Sequence, residues 1–259
     1  MLDYISVTFD NDRRTDDMLR RTLLIGISVF VFMLSLGTIS YSLESLDIGD
    51  AVEKPGSTEI LPDGTITIVG AGHDIWDAAD GFRYVYMPIS GDFEAAVQIT
   101  FFERVKQWAK AGLMARQSVD ADSKNAISTA AAGNVPGPDL GVQLTWRADK
   151  AGETKELDYW ELGGPTGFND GEWVKIKRAG SDFSASWSKD GKSWVADYAS
   201  VKIEMTDPIL IGLIVCSCDK ALSCKSTFKS FTVNNKNVLA VVSSNGKLSK
   251  TWGEIKSEY

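Results

Sequence analysis

The residues that build most metal and redox chemistry are scarce in this chain. Its 259 residues include one histidine, His73, and three cysteines, Cys216, Cys218 and Cys224. That scarcity excludes a multi-histidine metal centre, a covalent haem site and a disulfide-dense scaffold. Positive charge is also short: 27 basic side chains stand against 35 acidic ones, a formal charge of -8. Duplex nucleic acid is bound mainly by Lys and Arg neutralising phosphates, so it is excluded as a partner. Beyond residue 44 there is no helical pattern of ten residues. Hydrophobic residues make up 44% and charged residues 24%, which is globular composition rather than disorder.

The first feature present is an apolar run. Thr22 to Leu43 is 22 residues without a charge, preceded by Arg20-Arg21 and followed by Glu44. At 1.5 Å per residue it reaches ~33 Å, enough for a hydrocarbon core of ~30 Å. A cleaved signal peptide has a shorter apolar core, of ~7–15 residues. The expectation is therefore a transmembrane helix over 22–43. Gly26, Ser28, Ser35 and Gly37 are its small positions for packing on another helix. Arg13, Arg14, Arg20 and Arg21 lie on its N-terminal side, and basic residues stay cytoplasmic. Residues 1–21 then form a cytoplasmic arm. The C-terminal part is expected in the periplasm or outside the cell.

Residues 44–235 read as an all-β domain. Thr65 to Val69 alternates, as does Ala95 to Phe101, which would put Val97, Ile99 and Phe101 on one face. Val174, Ile176 and Arg178 share a face of another strand, with Trp173, Lys175 and Lys177 opposite. Phe183 to Trp187 alternates and leads into Asp190-Gly191, a hairpin signal because such turns need positive φ. Ile209 to Val215 is continuously apolar, as for a strand buried on both faces, with Lys225 to Val233 expected as its hairpin partner. Many short strands with turn signals between them predict an antiparallel two-sheet sandwich. The tail, 236–259, carries Leu248, Trp252 and Ile255 at helical spacing, a candidate docking segment.

Four segments carry a family resemblance. They are Asp74-Ile75-Trp76 through Phe82 to Tyr86; Trp108 to Arg116; Trp173 to Arg178, on through Asp190-Gly191 to Trp194; and Ile211-Gly212-Leu213 through Phe228 to Val233. In this order the chain resembles the bacterial concanavalin-A-like lectin/glucanase jelly rolls, of the poorly characterised type attached to secreted proteins. The resemblance implies two stacked antiparallel sheets and does not imply one activity.

Candidate chemistry centres on Glu156-Leu157-Asp158-Tyr159-Trp160-Glu161. Laminarinase-type glycosidases on this broad fold carry a Glu-x-Asp-x-x-Glu strand. On that resemblance Glu156 is the nucleophile, Glu161 the acid/base and Asp158 the residue that tunes them. Trp146, Tyr159 and Trp160 lie near this strand and are the candidates for stacking on sugar rings. His73 stands alone in a loop with no nucleophile motif. Cys218 and Cys224 are the disulfide candidates, with Cys216 as the other choice of partner; the three lack a fourth soft ligand for zinc. Asp120 and Asp122 have calcium-like spacing, and relatives on this fold often carry structural Ca2+.

The expectation from these residues is a non-catalytic, single-pass membrane protein whose sandwich is an interaction module. Foremost is an accessory, stabilising subunit of a larger membrane complex, energy-transducing or photosynthetic in kind. The alternatives are a cell-surface glycan-binding module and a laminarinase-type glycosidase. Membrane lipid, other membrane subunits and glycans are the expected partners. No cofactor is expected beyond a structural Ca2+.

Overall fold

A computed structural model describes residues 43–133, 141–158 and 167–239. The predicted span lies outside these residues apart from Leu43, and with it lie Gly26, Ser28, Ser35 and Gly37. Among the described residues no helix is long and apolar enough to cross a membrane.

The strands are β1 (Glu44–Ile48), β2 (Ser57–Ile60), β3 (Ile66–Gly72), β4 (Ile75–Trp76), β5 (Ala79–Asp80) and β6 (Phe82–Ile89). They continue with β7 (Phe93–Phe102), β8 (Lys110–Arg116), β9 (Asn125–Ala131), β10 (Gly141–Arg147), β11 (Thr154–Asp158) and β12 (Trp173–Ala179). The last are β13 (Asp182–Ser188), β14 (Trp194–Lys202), β15 (Ile209–Cys216), β16 (Asp219–Val233) and β17 (Lys236–Asn237). They form an antiparallel sandwich. One seven-stranded sheet has the order β1-β6-β15-β8-β9-β10-β11. The facing eight-stranded sheet has the order β14-β13-β12-β7-β16-β3-β2, with β17 beside β16.

The core between the sheets follows from period-two alternation. Val85, Leu113, Leu144 and Leu213 point inward from one sheet, and Ile68, Val97, Ile176, Phe183 and Phe228 from the other. Val174, Ile176 and Arg178 are all buried on one face of β12, as the alternation predicts. In β7 the pattern breaks. Val97 and Ile99 face the core, but the register against β16 shifts between Phe101 and Ile99. This bulge reverses the phase, so Phe102 is buried and Phe101 is 42% exposed.

β15 is buried on both faces, with Leu213 and Val215 in the main core and Ile214 in a second cluster beyond the sheet. Its expected hairpin with Lys225–Val233 does not form. Both edges of β15 are taken by β6 and β8. The chain instead crosses at Ser217-Cys218, where Cys218 has φ 54, and β16 pairs with β3 and β7 in the other sheet.

The Asp190-Gly191 turn joins β13 and β14, with Gly191 at φ 71. The Asp190 carboxylate accepts the N–H groups of Ser193 at 2.7 Å and Lys192 at 2.8 Å. These bonds hold its pKa down to about 2, below the ordinary 3.8. A carboxylate depressed in the folded state adds stability above its unfolded pKa and loses it as pH falls through the folded one. Asp190→Ala is therefore expected to flatten the pH dependence of the melting temperature between 3.8 and about 2, read by thermal melts across that window.

Candidate functional site

In an antiparallel pair, directly opposed residues share a face. The registers therefore define two rows on the outer face of the seven-stranded sheet. One runs Tyr84, Ile214, Gly112, Thr129, Gln143. The other runs Tyr86, Gly212, Met114, Ile127, Thr145, Glu156. The tyrosine end is closed by packing. The rings of Tyr84 and Tyr86 stack at 4.8 Å, and their hydroxyls donate to the Met114 carbonyl and to Glu44 Oε2. The β9–β11 end is polar: Thr129, Gln143 and Thr145 are fully buried, and Gln143 Nε2 donates to Glu156 Oε2 at 3.4 Å. The hydroxyl oxygens of Thr129 and Thr145 have no hydrogen-bond partner among the described residues.

An ionic clamp flanks these rows. The β4–β5 hairpin brings Asp80 over the sheet, where Arg147 Nη2 donates to Oδ1 at 2.6 Å and Arg116 Nη1 to Oδ2 at 3.3 Å. All three side chains are fully buried. Asn125 Nδ2 adds a third donor at 3.1 Å. The guanidiniums spend their other N–H groups on carbonyls: Arg147 on those of Trp76, Asp77 and Ser123, Arg116 on those of Ser118 and Asp120. Burial raises the Asp80 pKa above the ordinary aspartate value, while Arg147 and Arg116 pull it down. Both arginines are thus saturated within the fold and are not offered to a ligand.

The predicted residues divide between the faces. Glu156 stands on the polar outer face, and Asp158 pairs with Gln143 in register. The Asp158 side chain and Tyr159, Trp160 and Glu161 lie outside the described residues. Trp146 is a correction: opposed to Lys155 and Ala126, it points to the other side of β10 and packs on the core between the sheets. It cannot stack on a ligand held over Glu156. The three cysteines are free and buried, so the Cys218–Cys224 disulfide is also corrected. Cys224 lies beyond a register shift in β16 and turns its thiol to the Glu103 carbonyl, while Cys218 sits beside Cys216. Asp120 and Asp122 both hold the Lys150 ammonium, at 2.8 Å and 3.4 Å. His73 is exposed, and its backbone N–H donates to Asp50 Oδ1.

The sequence reading passed over Thr129, Gln143 and Thr145. A signal existed: Val142-Gln143-Leu144-Thr145-Trp146-Arg147 alternates, with its polar members on one face. It went unread because short polar side chains in a strand are usually solvent-facing.

No protein-family model matches the chain, and no curated protein matches it. Solved structures do. A functionally unknown protein from Saccharomyces cerevisiae is 16% identical over 76% of this chain and 96% of its own, with a TM-score of 0.53. A family 7 alginate lyase is 10% identical over 68% of this chain and 82% of its own, with a TM-score of 0.41. Lectin II from Ulex europaeus is 9% identical over 74% of this chain and 98% of its own, with a TM-score of 0.39. What is shared with the yeast protein, at this identity, is the fold, an antiparallel β-sandwich. This corrects the expectation of a non-catalytic domain. A fold shared at 16% identity with a functionally unknown protein fixes no activity, so it gives no ground for excluding catalysis.

Proposed function

We propose that this protein binds a carbohydrate on the outer face of its seven-stranded sheet, over Thr129, Gln143, Thr145 and Glu156. One observation carries the reading: two fully buried threonine hydroxyls without partners, beside the Gln143–Glu156 hydrogen bond. A buried hydroxyl left unpaired costs about 1–3 kcal/mol. Both hydroxyls are closed off from solvent, so a ligand reaches them only when the cover over this face opens, and its own hydroxyls then supply the missing partners. Neutral donors and acceptors beside the Glu156 carboxylate suit a polyhydroxylated ligand. A phosphate would call for cations, and Arg116 and Arg147 are already taken by Asp80. The apolar run 22–43 and its flanking arginines support a domain held outside the cytoplasmic membrane, where surface glycans are met.

Glycan-array binding by the full-length chain in mild detergent tests this. Thr129→Val with Thr145→Val is expected to lower affinity for the captured glycan by about tenfold or more. The same pair is expected to leave the thermal midpoint unchanged or raised, because each valine removes a buried unpaired oxygen. Captured glycans are also followed for shortened products, with Glu156→Gln as the control. Cleavage that stops in that variant while binding persists would extend the site from recognition to turnover. A chain that captures no glycan, or a double valine variant that binds as well as the parent, overturns the proposal.

A further inference from the structure

One row further along the same sheet face, where β15 ends, three groups from two stretches of chain converge. Cys216 ends β15, Cys218 sits in the crossover to β16, and Asp74 lies in the loop between β3 and β4. The two Sγ atoms are 3.6 Å apart, Cys218 Sγ is 3.2 Å from Asp74 Oδ1, and all three ligand atoms lie within 4.8 Å of one another. We propose that Cys216, Cys218 and Asp74 bind a thiophilic divalent metal ion of the Zn2+ class. This site shares no residue with the carbohydrate site and does not rest on it.

The distances suit such an ion. Zn2+ lies ~2.3 Å from thiolate sulfur and ~2.0–2.2 Å from carboxylate oxygen. In a tetrahedron those bond lengths put two sulfurs ~3.7 Å apart and a sulfur and an oxygen ~3.5 Å apart. The observed 3.6 Å and 3.2 Å are within about 0.4 Å of these edges, and the third pair lies within 4.8 Å.

The thiols now donate to carbonyls, Cys218 to that of Trp108 at 2.9 Å and Cys216 to that of Gly81 at 3.3 Å, and metal binding exchanges these contacts for the ion. The positive φ of Cys218 folds the chain back, so that its N–H donates to Cys216 Sγ at 3.3 Å. Asp74 Oδ1 accepts from the Ile75 N–H and from Lys110 Nζ, each at 2.6 Å, which fixes the carboxylate. Lys110 is itself 2% exposed and donates to the Trp108 carbonyl at 3.2 Å. Charge also closes. Two thiolates, one carboxylate, the divalent ion and the Lys110 ammonium sum to zero. So do two thiols with the Asp74–Lys110 pair. The ion enters in exchange for two thiol protons, and the buried cluster is neutral either way. Three protein ligands leave the fourth tetrahedral position to water, and the Asp74 side chain, 25% exposed, opens the site to solvent.

The test uses the full-length chain in detergent, reduced with a phosphine, stripped with chelator and titrated with Co2+ as the spectroscopic probe. One equivalent is expected to give a thiolate-to-cobalt charge-transfer band and the strong visible bands of a four-coordinate ion, both removed by Zn2+. Cys216→Ser and Cys218→Ser are expected to lose the charge-transfer band, while Cys224→Ser, also at a buried cysteine, keeps it in full. Asp74→Asn keeps the side chain's shape but removes the counter-charge of buried Lys110, so its stability is measured alongside its metal affinity. It is expected to weaken Co2+ binding by about tenfold or more. Circular dichroism of each variant confirms its sheet. No charge-transfer band in the reduced parent overturns the proposal. So does a band that survives Cys218→Ser, or Asp74→Asn binding with parental affinity in a folded chain.

Discussion

Replacing Asp80 with alanine is expected to cost about 3–5 kcal/mol of folding stability, a large part of the ~5–15 kcal/mol that a domain possesses. The carboxylate lies between two guanidiniums, all three side chains fully out of water, with Arg147 at 2.6 Å and Arg116 at 3.3 Å. Alanine leaves both positive charges buried with no counter-charge, and neither arginine can reach solvent while its other N–H groups hold loop carbonyls. The cost should be concentrated where those loops meet the sheet. Urea unfolding gives the measurement, with Asp120→Ala as the comparison. Asp120 pairs with Lys150 at 2.8 Å, but both side chains are more than half exposed, so its loss is expected to cost far less than that of Asp80. Equal effects from the two substitutions would show that the buried clamp is not what ties the β4–β5 hairpin to the sheet.

Leu213→Ala is expected to cost about 2–5 kcal/mol. Leu213 is fully buried at the centre of the seven-stranded sheet, opposed to Val85 on one side and Leu113 on the other. Cavity cost depends on how far the surroundings collapse, and here they have little freedom. The backbone of β15 is bonded along both edges, and a Cβ added at neighbouring Gly212 would come within 2.2 Å of the Val85 carbonyl oxygen. The strand cannot slide to fill the hole. Leu222→Ala is the matched control: this leucine is 40% exposed, and its truncation is expected to change stability by no more than about 0.5 kcal/mol. A loss below 1 kcal/mol for Leu213→Ala would mean that the two sheets close over the cavity.

Local alternation was read correctly where one strand decides its own faces. Val174 and Ile176 face the core, and Asp190-Gly191 makes its hairpin turn, because period-two pleating and positive φ are properties of a few consecutive residues. The reading failed where a partner strand decides. Alternation puts Phe101 inside, but a one-residue bulge against β16 buries Phe102 there instead. Trp146 was grouped with Glu156 on sequence proximity. The β10–β11 register sets Glu156 opposite Thr145, which sends Trp146 to the other face. A shift of one residue would reverse that result, and nothing in either strand alone specifies it.

The amino-acid sequence by itself determined the all-β composition of residues 44–235, the faces of its regular strands, the acidic charge and the uncharged run of 22–43. Each is a property of composition or of neighbouring residues. Only the tertiary structure decided that β15 and β16 part into different sheets. It alone brought Asp80 to Arg116 and Arg147, and set Asp74 beside Cys216 and Cys218 across more than a hundred residues of chain. Such meetings come from which strand edges pair and where the loops between them close. These are long-range contacts whose free energy is shared by the whole sandwich, and so they leave no pattern in the residues that finally touch.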